Sequence, residues 1–344
     1  MPSQLIRLAI AAAFIVAACG PQPAGSGCCV TQTPGGTTAP AAISLKVGLG
    51  YIPSVQFAPF YLADQAGYYR DAGLAVTFEN KIDPDLIQLT GQGAIDVSVA
   101  DGTDVIPAVS QGIPVQYIAT LYGTYPSIVF AKAASGIRTA ADLKGKKIGI
   151  PGKYGSSWIM LQALLKSVGL ALDDVTIVEY PDYGQGVAVQ AGAVDAATGF
   201  ANNEPVQLEL TGEHAVVLHV DSVVALPGPG LISSVATLVS KRDAVAAFVA
   251  ATLRAMTEIA ANPTVGLDAS IVAVPELAAN RSAQAAILDA TIASWSPASG
   301  GGAFGVIDHA GWQASLDYLK TLKLVPNPVT IDQLVRDDFL PAQG

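Results

Sequence analysis

Residues 147–158, KIGIPGKYGSSW, read as a buried strand that runs into a glycine-rich turn and then into a helix opening on two serines. Strand, loop and helix in that order belong to α/β folds, where the loop beyond the C-terminal end of a strand is a place to hold a ligand. A nucleotide-binding loop would need Gly, four residues, then Gly-Lys-Ser/Thr. Here Gly152-Lys153 is followed by Tyr154, and the position five before Gly152 is Lys147. The Walker pattern fails at both ends, so this loop serves another kind of ligand.

The same alternation extends outward in both directions. ISLKVGLGYI (43–52), LAVTFEN (74–80), VSVAD (97–101), VQYIATLY (115–122) and SIVFAK (127–132) read as strands before the loop. VTIVEYP (175–181), AATGFA (196–201) and VVLHV (216–220) follow it. Helical spacing fills the gaps, at FAPFYLADQAGYYRDAG (57–73), DPDLIQLTGQGAID (83–96), SSWIMLQALLKSVG (156–169) and GQGVAVQAGAVD (184–195). Beyond residue 241 the chain is helical; KRDAVAAFVAATLRAMTEIAANP is strongly periodic and stops at Asn262-Pro263. Such a pattern calls for an α/β fold with mixed, mainly parallel sheets flanked by helices.

One internal likeness bears on the architecture. Gly93-Ala94-Ile95-Asp96 and Gly192-Ala193-Val194-Asp195 each end a helix and open a strand, and each strand leads into polar residues. The two units fit two lobes of like design, with polar loops at the C-terminal ends of strands. Two crossings of the chain and a hinge are then required, expected near residues 132 and 230. Lobe 1 is expected to comprise 43–131 and 231–344, and lobe 2 to comprise 132–230.

At 344 residues the chain suffices for one large or two ordinary domains, and only 13% of it is charged. Its longest apolar run, LAIAAAFIVAA (8–18), follows Arg7 and precedes Cys19. A basic start, a short apolar core and small residues before a cut describe an export signal over residues 1–18. Val16-Ala17-Ala18-Cys19 is similar to the lipobox of bacterial lipoproteins, which implies lipidation at Cys19 and attachment to the cell membrane on its extracytoplasmic face. Residues 19–42, rich in Gly, Pro and Thr, cannot bury enough apolar surface to offset the entropy of ordering, so they are expected to be a flexible tether. Cys28 and Cys29 lie in that tether with no further cysteine downstream to share a metal or a disulfide. The formal charge of −10 becomes one unit more negative when Arg7 leaves with the signal, which argues against nucleic acid as a partner.

The segment YIPSVQFAPFYLADQAGYYRDAGLAVTFE (51–79) resembles the solute-binding proteins related to thiamine-pyrimidine synthases. GQGAIDVSVAD, QGIPVQYIATL, DLKGKKIGIPG and GAVDAATGFANNEPV follow in the same order, so the likeness covers residues 44 to about 240. Within that group the chain looks most like lipoproteins that deliver riboflavin to bacterial ABC importers. The resemblance implies a type II periplasmic-binding-protein fold, whose two lobes close over a small molecule by hinge motion. It also implies permease and ATP-binding subunits as partners. The fungal enzymes of the group carry a cysteine-rich motif and a consumed histidine; this chain has no cysteine beyond Cys29, so enzymatic pyrimidine synthesis is not expected.

The residues themselves point the same way. His214, His219 and His309 are scattered, and no H-E-x-x-H, G-x-S-x-G or catalytic S-x-x-K occurs, so neither enzyme, metal site nor cofactor is expected. Tyr51, Phe57, Tyr122, Tyr125, Tyr154, Trp158, Tyr180 and Tyr183 fall at or beyond predicted strand ends, whereas Phe60, Tyr61, Tyr68 and Tyr69 suit packing of the first helix. Tyrosine and tryptophan offer flat apolar faces with one polar handle, which suits a planar heterocycle. Gln56, Asp101, Asn202, Asn203 and Glu204 would read the edge of that ring. Gly152 and Gly155 would let backbone approach the ligand, and Ser156 and Ser157 would cap the helix with their N–H groups facing the cleft; Ser156 as a cap without ligand contact is the alternative. Riboflavin is the first expected ligand and a thiamine-type pyrimidine the second. Sulfonate or nitrate ranks lower because a small anion needs converging cations, and Lys153 is the only basic residue in these loops. The competing class is a secreted enzyme or sensor on the same fold.

Overall fold

The computed structural model describes residues 41–81, 83–220, 223–296 and 303–342. The expected signal peptide, Cys19, Cys28 and Cys29 lie outside them. Ten strands form two five-stranded sheets. The first holds β1 (Ile43–Leu49), β2 (Leu74–Asn80), β3 (Val97–Asp101), β4 (Val115–Thr120) and β10 (Pro229–Ser234) in the order β2-β1-β3-β10-β4. The second holds β5 (Ser127–Lys132), β6 (Lys147–Ile150), β7 (Thr176–Glu179), β8 (Ala196–Phe200) and β9 (Ala215–His219) in the order β7-β6-β8-β5-β9.

The two sheets share one design. The strand next to one edge, β1 or β6, pairs in parallel with two neighbours, and the strand that enters after each crossing, β10 or β5, lies antiparallel between two others. Each sheet is therefore mixed, with one strand running against the rest. Because Ser127–Lys132 pairs with β8 and β9, the chain leaves the first sheet within residues 121–126, ahead of the expected position near 132. It returns between the end of β9 at His219 and the start of β10 at Pro229.

The short repeat marks equivalent corners. Gly93 and Gly192 adopt left-handed backbone, with φ of 76° and 71°. Only glycine takes that conformation without cost, and it ends the preceding helix. Asp96 Oδ2 then accepts the Lys46 backbone N–H at 2.9 Å, and Asp195 Oδ2 accepts that of Lys147 at 2.8 Å. In each sheet an aspartate thus pins the start of the central strand, β3 or β8, to the neighbouring β1 or β6.

Burial explains the strands. Leu45, Val47 and Leu49 of β1, and Ile148 and Ile150 of β6, are completely buried, as expected where helices cover both faces of a sheet. The predicted helix over 57–73 is two helices, Ala58–Gln65 and Tyr68–Asp71, because Gly67 turns the chain at φ 79°. The helix Arg242–Ala261 is long and apolar enough to cross a membrane by length and composition. Here it packs Val245, Phe248, Val249, Met256 and Ile259 into the core beside the first sheet. Tyr69 stacks on Phe248 with ring centroids 5.0 Å apart, which accounts for the aromatics assigned to packing.

Candidate functional site

The cavity with the richest chemistry gathers loops from the C-terminal ends of strands in both sheets. It encloses about 880 Å³ of empty space, its open mouth included. Gly50 and Tyr51 reach it from β1, Asp101 from β3, Tyr122 from β4, Pro151 from β6, and Gly199 and Phe200 from β8.

Most of the expected residues meet there. Tyr51, Gln56, Phe57, Asp101, Tyr122, Tyr154, Ser156 and Glu204 all line the cavity, together with Ser157, Tyr183 and Asn203. Two expected residues do not. Trp158 is not in the lining; half-buried, it packs against the core cluster of the second sheet that includes Ile148 and Met160. Asn202 is fully buried behind the wall, where its amide donates to Gln56 Oε1 and to Thr291 Oγ1, each at 2.8 Å. Gln56 is also engaged through its own amide, which donates to Ser54 Oγ at 3.2 Å. Gln56 and Asn202 therefore hold one another, and the buried Asn202 Oδ1 is left without a protein hydrogen-bond partner. Tyr125 and Tyr180 likewise serve packing: Tyr125 donates its hydroxyl to the Ser156 carbonyl at 3.2 Å, and Tyr180 lies against the Ile128–Phe130 cluster.

The aromatic wall has a definite shape. The Tyr51 and Tyr183 rings meet edge to face at 4.9 Å and 83°, a favoured arrangement of ring quadrupoles. Tyr183 holds φ 60°, left-handed backbone that costs a non-glycine residue about 1–2 kcal/mol. Burial pushes the Tyr51 hydroxyl far above the usual phenol range, with the Glu204 charge adding to it, so Tyr51 stays a neutral donor.

The opening loop differs in detail from its sequence reading. The helix Gly155–Ser167 begins at Gly155, with Tyr154 as an N-cap whose side chain makes no capping bond. Ser156 lies inside the first turn, where its hydroxyl receives that of Ser127 at 3.2 Å. Gly155, at φ 71°, brings backbone to the cavity wall as expected. Gly152 is required for another reason: a Cβ there would sit 2.2 Å from the Tyr154 ring.

Three carboxyls face the cavity. Glu204 accepts the Phe200 N–H at 2.8 Å, and burial still pushes it up to about 7. A Cβ on Gly199 would come within 2.8 Å of the same carboxyl, so glycine is what lets Glu204 lie over the end of β8. Burial raises Asp101 to about 6, against the pull of a hydrogen bond to Ser156. Asp104 is raised well above the usual carboxylate range by burial and by the neighbouring Asp101. In the sequence Asp104 is one of the polar residues that follow β3. Its signal was spacing: residues three apart at a helix start share a face. Among the described residues no Lys, Arg or His lines the cavity. Lys153 points elsewhere, 3.6 Å from Glu179.

The model of the NMT1/THI5-like family matches residues 54–265. The chain belongs to that family. This NMT1/THI5-like protein is 31% identical over 347 residues, 99% of each chain, to the riboflavin-binding protein RibY of Chloroflexus aurantiacus. It is 32% identical over 155 residues, 44% of each chain, to the 4-amino-5-hydroxymethyl-2-methylpyrimidine phosphate synthase of Aspergillus parasiticus. Its fold is similar to that of the alkanesulfonate-binding protein SsuA from Xanthomonas axonopodis pv. citri, with TM-score 0.68 and 21% identity over 87% of this chain and 99% of that one. A Candida albicans gene product with the generic periplasmic binding protein fold gives TM-score 0.63 and 15% identity, over 88% of this chain and 98% of that one. The NMT1/THI5-like protein thus has the periplasmic-binding-protein fold.

Proposed function

We propose that this protein is the solute-binding component of an ABC importer and that its ligand is riboflavin. The observation that carries this reading is the make-up of the cavity: Tyr51, Phe57, Tyr122, Tyr154 and Tyr183 supply aromatic faces, while the described lining holds no cation. A neutral tricyclic ring gains from such faces, whereas a phosphorylated or sulfonated ligand would meet carboxyls without a clamp. The near full-length likeness to a protein named for riboflavin binding supports the same ligand. The lipobox at Cys19 and the tether to residue 42 support a lipid-anchored protein outside the cytoplasmic membrane that hands its ligand to permease and ATP-binding subunits.

A thiamine-type pyrimidine is the second reading. Asp101, Asp104 and Glu204 would suit the amino group of an aminopyrimidine, and the pyrimidine phosphate synthases among the relatives favour it. Binding without turnover is favoured over catalysis, because the folded chain has no cysteine to serve as nucleophile or redox centre. Incubation with riboflavin, gel filtration and mass spectrometry of the released ligand test this reading. The expected result is retained riboflavin of unchanged mass after long incubation. Absence of retained flavin, or recovery of an altered one, would overturn it.

A further inference from the structure

Two acceptors in the cavity wall stand apart from the ring-binding faces. Asp104, 8% exposed, and Gln185, 1% exposed, both line the cavity. Asp104 Oδ2 and Gln185 Oε1 are buried without a protein hydrogen-bond partner. The Gln185 amide nitrogen faces the Thr198 carbonyl at 3.4 Å, which leaves its oxygen as the unsatisfied end. A buried acceptor without a donor costs stability, so a pair kept in a ligand cavity points to donors that arrive with the ligand.

The surroundings narrow the kind of donor. Asp104 lies in the first turn of the helix Gly102–Ser110, three residues after the N-cap Asp101, and the Ser156 backbone N–H donates to its carboxyl. A Cβ on Gly155 would lie 3.6 Å from Asp104 Oδ2, in ordinary contact, so the carboxyl sits beside the backbone that opens the helix Gly155–Ser167. Burial and the charge of Asp101 both disfavour an ionised Asp104, so the site favours a group that can donate as well as accept. A hydroxyl, itself both donor and acceptor, matches that mixture. An isoalloxazine ring does not, since its single N–H lies on one edge.

We propose that Asp104 and Gln185 form a polyol subsite, which takes the hydroxyl-bearing arm of the ligand while the tyrosines take the ring. This deepens the flavin reading and rests on it for the identity of the arm as ribityl.

The test compares riboflavin with lumiflavin, which carries methyl in place of the ribityl arm, on the parent protein and on Asp104→Ala, by calorimetry. The parent is expected to bind riboflavin at least 10-fold tighter than lumiflavin. Asp104→Ala is expected to weaken riboflavin by roughly 10- to 100-fold and lumiflavin by less than 3-fold. The ligand-free variant should melt at or above the parent temperature, because an unsatisfied buried carboxyl has been removed. Should the alanine variant fold poorly, Asp104→Asn keeps the volume and is expected to lose at least 5-fold for riboflavin only. Equal losses for both flavins, or no loss for either, would overturn the subsite. If the parent binds neither flavin, the flavin reading falls by itself. The subsite is then read with 4-amino-5-hydroxymethyl-2-methylpyrimidine against its 5-methyl analogue: an Asp104-dependent preference for the hydroxyl supports it, and no such preference overturns it.

Discussion

Asn202→Ala is expected to lower the stability of the ligand-free protein by about 2–4 kcal/mol, the range of a broken buried polar network. Asn202 follows β8 of the second sheet, yet its partners belong to elements around the first. Gln56 lies in the turn after β1, and Thr291 in the helix Arg281–Trp295. The Tyr122 hydroxyl, beyond β4, stands at 3.5 Å. Removing the amide strands Gln56 Oε1 in a buried site and deletes the polar link between these two parts of the chain. At about 2–4 °C per kcal/mol for chains of 150–250 residues, Tm should fall by roughly 5–15 °C in differential scanning calorimetry. A fall below 2 °C would show that the link is dispensable.

Tyr51→Ala is expected to weaken riboflavin binding by about 1–3 kcal/mol, roughly 5- to 150-fold, by analogy with bases stacked on aromatic side chains. Tyr51 lines the cavity, and its ring meets Tyr183 edge to face at 4.9 Å. The substitution therefore removes one aromatic face and frees the other from its support. Trp158→Ala is the matched control. Its side chain packs against the core cluster of the second sheet, so stability should fall by about 1–3 kcal/mol while riboflavin affinity stays within about twofold. Fluorescence titration with parallel thermal melts separates the two. Equal affinity of Tyr51→Ala and the parent would remove Tyr51 from the ligand site.

The contrast between Tyr51 and Trp158 shows what the sequence could and could not reveal. Strands of β-branched and apolar residues ended by polar loops placed Tyr51, Asp101, Tyr122 and Glu204 at C-terminal strand ends, where open α/β sheets bind ligands. Helix phase decided the others. Trp158 is two residues beyond Ser156, a rotation of about 200°, which carries it from the cavity wall toward the core. The GAID and GAVD segments disclosed a common corner because one left-handed glycine and one strand-pinning aspartate are both read by residue type. The first crossing was not legible in the same way. Ser127–Lys132 is as apolar as a strand of either sheet, and only its pairing with β8 and β9 assigns it. Asn202 read as an edge donor because exposure, not residue type, separates a ligand contact from a buried tie.

An acid-bearing aromatic cavity without lining cations is expected to prefer a neutral flavin to a phosphorylated one. Parallel calorimetric titration of riboflavin, flavin mononucleotide and 4-amino-5-hydroxymethyl-2-methylpyrimidine tests it most directly. Flavin mononucleotide carries the same ring and arm but ends in a phosphate, which would meet Asp101, Asp104 and Glu204 without a compensating charge. Riboflavin should bind, and flavin mononucleotide at least 10-fold more weakly. Binding of the pyrimidine alone, or equal affinity for the two flavins, would contradict the account.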